Sequence, residues 1–166
     1  MEILLTGNNG YIGTVLSELL VEKKHSVTGF DINYFETCIL EPVIRNINQI
    51  KKDIRQIDTY DVAGYDAIIH LAGLSNDPLG EFAPHLTQEI NFDGTIKLAE
   101  MAKKAGVKRF VYASSQSMYG LSDTENELDE DNSKKNPVTA YARTKWEAEV
   151  ELKKMYSNEF IVSCFR

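Results

Sequence analysis

Thr6-Gly7-Asn8-Asn9-Gly10-Tyr11-Ile12-Gly13 is the stretch on which the reading of this chain turns. A short apolar run, Ile3-Leu4-Leu5, precedes it. After it, apolar residues recur at Ile12, Val15, Leu16, Leu19 and Leu20, one face of a 3.6-residue period. The order is strand, glycine-rich turn, helix, which is the order a dinucleotide pyrophosphate needs. Gly7 permits the tight turn, Gly10 lets the backbone approach the phosphates, and Gly13 lets the helix pack on the strand. The first helical turn, with Tyr11 and Ile12, presents its free N–H groups and the positive end of the dipole to the anion. An acid beyond a second strand completes the signature. Here Ser26-Val27-Thr28-Gly29-Phe30 runs into Asp31. A carboxylate there suits ribose hydroxyls and repels a 2′-phosphate, which favours NAD over NADP. No lysine or arginine follows it before Arg45. By residue type alone, Asp31 also fits an ordinary turn.

Composition sets the outer bounds. The 166 residues suit one domain, with no internal repeat and no linker. A chain of that length buries roughly two-thirds of its unfolded surface without covalent staples. The net charge of −7 argues against nucleic acid or an anionic membrane surface as partner. Helix N-termini bind phosphate without basic side chains, so a phosphate ligand remains compatible. Cys38 and Cys164 lie far apart and read as two reduced, buried thiols. No apolar run approaches ~20 residues and the first residues enter a strand, so neither a membrane span nor a signal peptide is expected. The default location is the cytoplasm. Three dispersed histidines suggest no metal site.

Further along, Ile32 to Glu41 reads as a loop with at most a helical turn. Ile47 to Ile54 is a plausible third strand. The run Asp66-Ala67-Ile68-Ile69-His70-Leu71-Ala72 has strand length and the continuous apolarity of a strand buried on both faces. His70 within it reads as a satisfied core group. The run ends at Leu71-Ala72-Gly73, a second place where backbone can approach a ligand. Ser75 to Gly80 reads as a turn, followed by a long helix from about Pro84 to Ala105. Its apolar stripe is Leu86, Ile90, Gly94, Leu98, Met101 and Ala105, and Gly106 is the stop. Val107 to Ala113 is a fifth strand, leading to Ser114-Ser115. Leu121 to Asn136, with Asp123, Glu125, Glu127, Asp129, Glu130 and Asp131, reads as a solvated acidic loop. A helix from about Thr139 to Tyr156 and a strand from Phe160 to Phe165 complete the pattern. Alternating β and α elements with this first turn predict an α/β doubly wound parallel sheet, strand order 3-2-1-4-5-6, with helices on both faces. The ligand should lie across the carboxyl ends of the first and fourth strands.

The spacing Thr-Gly-x-x-Gly-x-x-Gly at Thr6–Gly13 resembles the extended branch of the short-chain dehydrogenase/reductase superfamily, the nucleotide-sugar epimerases and dehydratases. Tyr141-Ala142-Arg143-Thr144-Lys145 carries the resemblance further. Residues at i and i+4 share a helix face. Tyrosine, with a pKa of about 10, is a poor base at neutral pH, and a nearby ammonium favours its phenolate. In Ala113-Ser114-Ser115-Gln116-Ser117-Met118-Tyr119-Gly120, the family's catalytic hydroxyl matches Ser115. Sugar dehydratases carry Asp-Glu directly after it. Gln116-Ser117 stand there instead, so the 4,6-dehydratase reading lacks its acids. Asn91 with Gly94-Thr95 resembles a family motif in which the asparagine supports the cofactor and the lysine. Asp53-Ile54 resembles the pair that meets adenine, carboxylate to amine and apolar side chain to ring. By sequence alone Asp53 is equally an exposed loop residue.

The resemblance implies a Rossmann-like NAD-binding domain over residues 1–166, close to the nucleotide-sugar 4-epimerases. Ser115, Tyr141 and Lys145 would be catalytic. The cofactor would be NAD, held by Gly7, Gly10, Tyr11, Ile12, Gly13, Asp31, Asp53, Ile54, Leu71, Ala72, Gly73, Asn91, Tyr141 and Lys145. The expected partners are a nucleotide sugar and a second copy, joined as a four-helix bundle through Ile96, Leu98 and Met101 on one helix and Trp146 and Val150 on the other. A reductase or dehydrogenase of a related carbonyl compound, or a non-catalytic NAD sensor, are the rival expectations. Extended members continue well beyond this point and build their sugar pocket there. The chain is therefore expected to be the cofactor-binding part of a longer enzyme, poorly active alone, and its final Arg166 suits proteolytic or engineered trimming.

Overall fold

A computed structural model describes residues 1–38, 47–75, 77–121 and 127–166. Its six parallel strands are β1 (Glu2–Thr6), β2 (Ser26–Asp31), β3 (Asn48–Lys51), β4 (Ala67–His70), β5 (Arg109–Ala113) and β6 (Ile161–Phe165). They lie in the order β3-β2-β1-β4-β5-β6, as the alternation of elements predicts. The order reverses between β1 and β4, and the crevice in which such sheets bind their ligands is expected there, at the carboxyl ends of the strands.

Register decides which side chains meet. Thr6 pairs with Phe30 on one side and His70 on the other, and His70 pairs with Tyr112. One face of the sheet therefore carries Leu4, Phe30, Ile68, Phe110 and Tyr112, all fully buried. Leu98, Ala99 and Ala102 from one helix and Ala148 and Leu152 from another close this core. Each large side chain taken from water contributes roughly 1.5–3 kcal/mol. On the opposite face α1 (Tyr11–Glu22) packs against β1 and β2 through Gly13 and Ser17. On β6, Ile161 and Phe165 remain exposed.

The long helix is real but not uniform. α3 (Pro84–Thr87) passes through a π-helical turn, Gln88–Asp93, into α4 (Gly94–Lys104). Its most buried face is Thr87, Asn91, Thr95, Leu98 and Ala102, so the stripe reading needs correction. Leu86, Ile90 and Met101 are half-buried and Ala105 is exposed. The π turn shifts the phase of the helix, and polar groups face inward because they have partners there. Leu98 is fully buried and cannot serve an interface between copies.

Two further readings change. Asp77–Phe82 forms a short helix, α2, rather than a turn; Asn76 lies outside the described residues. Cys38 is exposed, at the end of a 3-10 turn from Glu36, while Cys164 is half-buried; both are free. The acidic segment, described from residue 127, has no regular structure, yet Arg166 Nη1 fastens it by donating to the Glu130 carbonyl (2.7 Å). Asp123, Glu125, Arg45 and the end of the Ile32–Glu41 loop lie outside the described residues.

α5 (Ala140–Met155) starts sharply. Thr139 caps it, its Oγ1 accepting from Ala142 N (3.1 Å). Glu81 of α2 accepts from Ala140 N (2.6 Å), which satisfies a second orphan donor and places a carboxylate at the positive end of the helix.

Candidate active site and cofactor cradle

The glycine loop touches the segment that follows β4. A Cβ on Gly7 would stand 2.6 Å from Ala72 N, and Gly7 adopts φ +74°, the left-handed region that glycine tolerates. A Cβ on Gly13 would overlap the Gly7 carbonyl and Asn8. The helix start is therefore pressed against the loop, and Gly10 precedes it without a side-chain cap. The first-turn N–H groups have no carboxylate of their own, since that turn carries no acid. Tyr11 and Ile12 stand at its exposed rim.

Asp31 closes the cradle at the end of β2. Its carboxylate accepts from Asn9 N (3.1 Å) and Asn33 N (2.7 Å). Asn8, 2% exposed, supports the loop from beneath: its amide exchanges hydrogen bonds with Gln49 (2.8 and 3.2 Å) and donates to Asn9 Oδ1 (3.1 Å). This support escaped the sequence reading. Its signal was Gly29, a glycine inside a strand, where close approach of another group is the usual reason.

Asp53 and Ile54 sit at the expected place after β3, but their side chains are engaged. Asp53 caps a 3-10 turn, and both of its oxygens accept from Arg55 Nε (3.1 Å each). Arg55 holds the Asp53 carboxyl below its usual range, although burial works the other way. Ile54 is buried, packed against Gly94.

On the other side of the crevice, α5 delivers the chemistry. Lys145 is 5% exposed, and its ammonium donates to the Ala113 carbonyl at the end of β5 (2.8 Å). It lies 4.7 Å from the Tyr112 ring and 5.9 Å from the Tyr141 ring. Burial pushes its pKa down to about 8, so the cation is the main form at neutral pH. Tyr141 is half-buried one turn earlier on the same face. Ser115 follows β5 and caps a 3-10 turn, its Oγ accepting from Ser117 N (3.1 Å) and sharing a hydrogen bond with Ser117 Oγ (2.7 Å). Gln116 and Ser117 complete that turn, with no carboxylate.

The peptide segment beside this group is held from several sides. Asn91 Oδ1 accepts from Leu74 N (2.7 Å) and its Nδ2 donates to Leu74 O (2.9 Å). Gly73 lies under it, since a Cβ there would meet Asn91 Oδ1 at 3.0 Å and Lys145 Nζ at 3.7 Å. Behind Lys145, one turn on, Glu149 is 1% exposed. It accepts from Ser114 Oγ (2.7 Å), Arg166 Nη2 (2.6 Å) and Lys153 Nζ (2.9 Å). Burial alone would raise its pKa, but these donors, Arg166 foremost, outweigh it and hold it at about 2. His70 is fully buried with both ring nitrogens partnered, the core role expected of it.

A glycine cradle with uncapped helix N–H groups, an acid at the ribose position and a Tyr/Lys pair across the crevice together fit a nicotinamide dinucleotide. Residues 3–164 match the model of the NAD dependent epimerase/dehydratase family. The chain belongs to that family. Among curated relatives, UDP-glucose 4-epimerase of Klebsiella pneumoniae is 30% identical, over 72% of this chain and 93% of that protein. An Escherichia coli O157:H7 4-epimerase acting on N-acetyl-alpha-D-glucosaminyl-diphospho-ditrans,octacis-undecaprenol is 27% identical over 93% of this chain and 44% of that one. Among solved structures, a UDP-glucose-4-epimerase from Stenotrophomonas maltophila with bound NAD and formylated UDP-arabinopyranose is 26% identical. It superposes with a TM-score of 0.88 over all of this chain and 52% of that one. A UDP-N-acetylglucosamine 4-epimerase from Methanobrevibacter ruminantium M1 is 25% identical, TM-score 0.87, over 99% and 54%. The chain thus spans about half the length of most of these relatives. The family is NAD-dependent. Among the described residues no helix is long and apolar enough to cross a membrane, and no cluster of three or more His, Cys, Asp or Glu side chains could hold a metal ion.

Proposed function

We propose that the chain is the cofactor-binding part of a cytoplasmic nucleotide-sugar 4-epimerase. The observation that carries this is the crevice itself: Lys145, anchored on Ala113 O, stands beside Tyr141 and next to the Ser115 turn, opposite a glycine loop built for pyrophosphate. NAD, when bound, supplies a reversible hydride acceptor. Tyr141 Oη takes the proton of the sugar hydroxyl and returns it. Ser115 Oγ bonds the reacting oxygen and steadies it as its proton leaves. The Lys145 ammonium stands 5.9 Å from the Tyr141 ring and places a positive charge beside the proton acceptor. The lack of acids at Gln116 and Ser117 supports epimerisation over 4,6-elimination.

The active species is a homodimer in this reading. Phe92, Trp146 and Val150 line a shallow groove between the π turn and α5, so these two helices offer apolar surface to a copy. The sugar itself needs a pocket that half the length of a relative does not enclose. Positioning of that kind accounts for ~7–11 kcal/mol of a barrier.

The test measures NAD and NADP binding calorimetrically and follows UDP-glucose/UDP-galactose interconversion by NMR. It uses this chain and a chimaera carrying the second half of the Stenotrophomonas enzyme. NAD should bind more tightly than NADP, this chain should turn over poorly, and the chimaera should interconvert the sugars without net NADH. Net NADH formation would establish the dehydrogenase reading instead, and absence of NAD binding would sink both.

A further inference from the structure

Strand register puts Thr6 beside His70, the α4 residue Thr95 meets the imidazole from the helix layer, and all three are fully buried. Thr6 Oγ1 is 2.6 Å from His70 Nδ1, and His70 Nε2 is 2.8 Å from Thr95 Oγ1. The direction of each bond can be fixed by counting protons. Thr95 Oγ1 spends its one proton on the Asn91 carbonyl (2.7 Å). It can therefore only accept from the imidazole, so Nε2 carries the ring proton. Burial, helped by the nearby Lys145 cation, pushes the His70 pKa down to about 3, so the ring holds a single proton. Nδ1 is then an acceptor, and Thr6 Oγ1 must donate to it. That leaves the Thr6 oxygen free to accept from Ala72 N (3.4 Å).

The result is a chain of hydrogen bonds with one sense: Ala72 N–H to Thr6, Thr6 to His70, His70 to Thr95, Thr95 to Asn91 O. Its last member, Asn91, also grips Leu74 through both amide atoms. The peptides from Leu71 to Leu74 are thus fastened at both ends by groups that His70 joins, and Gly7 of the pyrophosphate loop rests on that segment.

We propose that Thr6, His70 and Thr95 are positioning residues of the cofactor site. They act through a fixed-tautomer imidazole that locks the Leu71–Leu74 turn against the glycine loop. None of the three touches the cofactor in this account; they set where the turn's backbone stands when it does. The role in affinity rests on NAD binding by this chain, whereas the lock itself is a property of the unliganded protein.

The experiment compares Thr95→Val with Thr95→Ser, and Thr6→Val with Thr6→Ser. Val keeps the shape and removes the hydroxyl; Ser restores it. Long-range nitrogen–proton NMR should find His70 protonated at Nε2 and bare at Nδ1. Exchange of the Ala72 and Leu74 amides should quicken at least about tenfold in both Val variants and stay within about threefold of the parent in both Ser variants. NAD affinity, measured well below the unfolding temperature, should fall about tenfold in the Val variants alone. Thr95→Val is the discriminating case, because Thr95 bonds no atom of the Leu71–Leu74 segment. An Nδ1-protonated His70, or Val variants with parental amide exchange, would overturn the lock. Parental NAD affinity with quickened exchange would overturn its role in binding. A parent protein that binds no NAD would refute the cofactor reading and the role in affinity, while the exchange data would still decide the lock.

Discussion

Gly29→Ala tests whether the glycine loop is supported from below. The new Cβ would stand 2.5 Å from Asn8 Nδ2 and 2.6 Å from Oδ1. Ordinary contact begins near ~3.5 Å, so the buried amide must retreat by about 1 Å. It then loses its hydrogen bonds to Gln49 and Asn9, each worth about 1 kcal/mol net. Overpacking adds about 1–3 kcal/mol. The expected loss is about 4 kcal/mol, read as a lower urea midpoint with unchanged slope. Asn8→Ala alone should cost about 3 kcal/mol, for the same three hydrogen bonds. With Ala at position 8 the obstacle is gone, so Gly29→Ala should then cost little more. The cycle should show a coupling of about 4 kcal/mol, nearly the whole cost of Gly29→Ala. Additivity within ~0.5 kcal/mol would refute the reasoning, since it would mean that the Gly29 Cβ and the Asn8 amide do not compete for one space.

Two further outcomes follow from buried charge. The Lys145 pKa near 8 lies below its usual 10.5, so between those values the unfolded chain holds more protons and stability should rise with pH, by up to about 3 kcal/mol; urea midpoints across that range should show the rise in the parent and not in Lys145→Met. Glu149, held at about 2 against a usual 4.5, stabilises the fold above 4.5, and that contribution is lost as pH falls toward 2. Glu149→Gln should therefore be clearly less stable than the parent at neutral pH, through the unpaired Arg166, and nearly equal to it near pH 2 in the same assay.

What the sequence disclosed, it disclosed through periodicity and through residues with narrow uses. The strand order followed from alternating elements. The crevice followed from glycines at fixed offsets, and the Tyr141/Lys145 face from a spacing of four. The remainder depends on long-range contacts that no local pattern encodes. Glu81 reaches Ala140 across 59 residues, and Gln49 reaches Asn8 across 41. Arg166 meets Glu149, Tyr119 and Glu130 from three different elements. The stripe on the long helix was misread because periodicity treats polar residues as outward. Thr87, Asn91 and Thr95 point inward because backbone carbonyls, a ring nitrogen and a peptide await them.

The two margins of the sheet are unlike. β3 presents Asn48, Gln49 and Lys51 along its border, a polar rim that discourages strand addition. β6, at the other border, is uncharged from Ile161 to Phe165 and leaves Phe165 65% exposed. An apolar strand border is a template for a further strand, so wherever that edge stays uncovered it favours association, which the mutual repulsion of molecules carrying a charge of −7 opposes. Salt shortens the reach of the repulsion, to about 3 Å at 1 M, and leaves the edge untouched. Dilute buffer therefore favours separate copies, and concentrated salt favours pairing at whatever part of the β6 border stays uncovered.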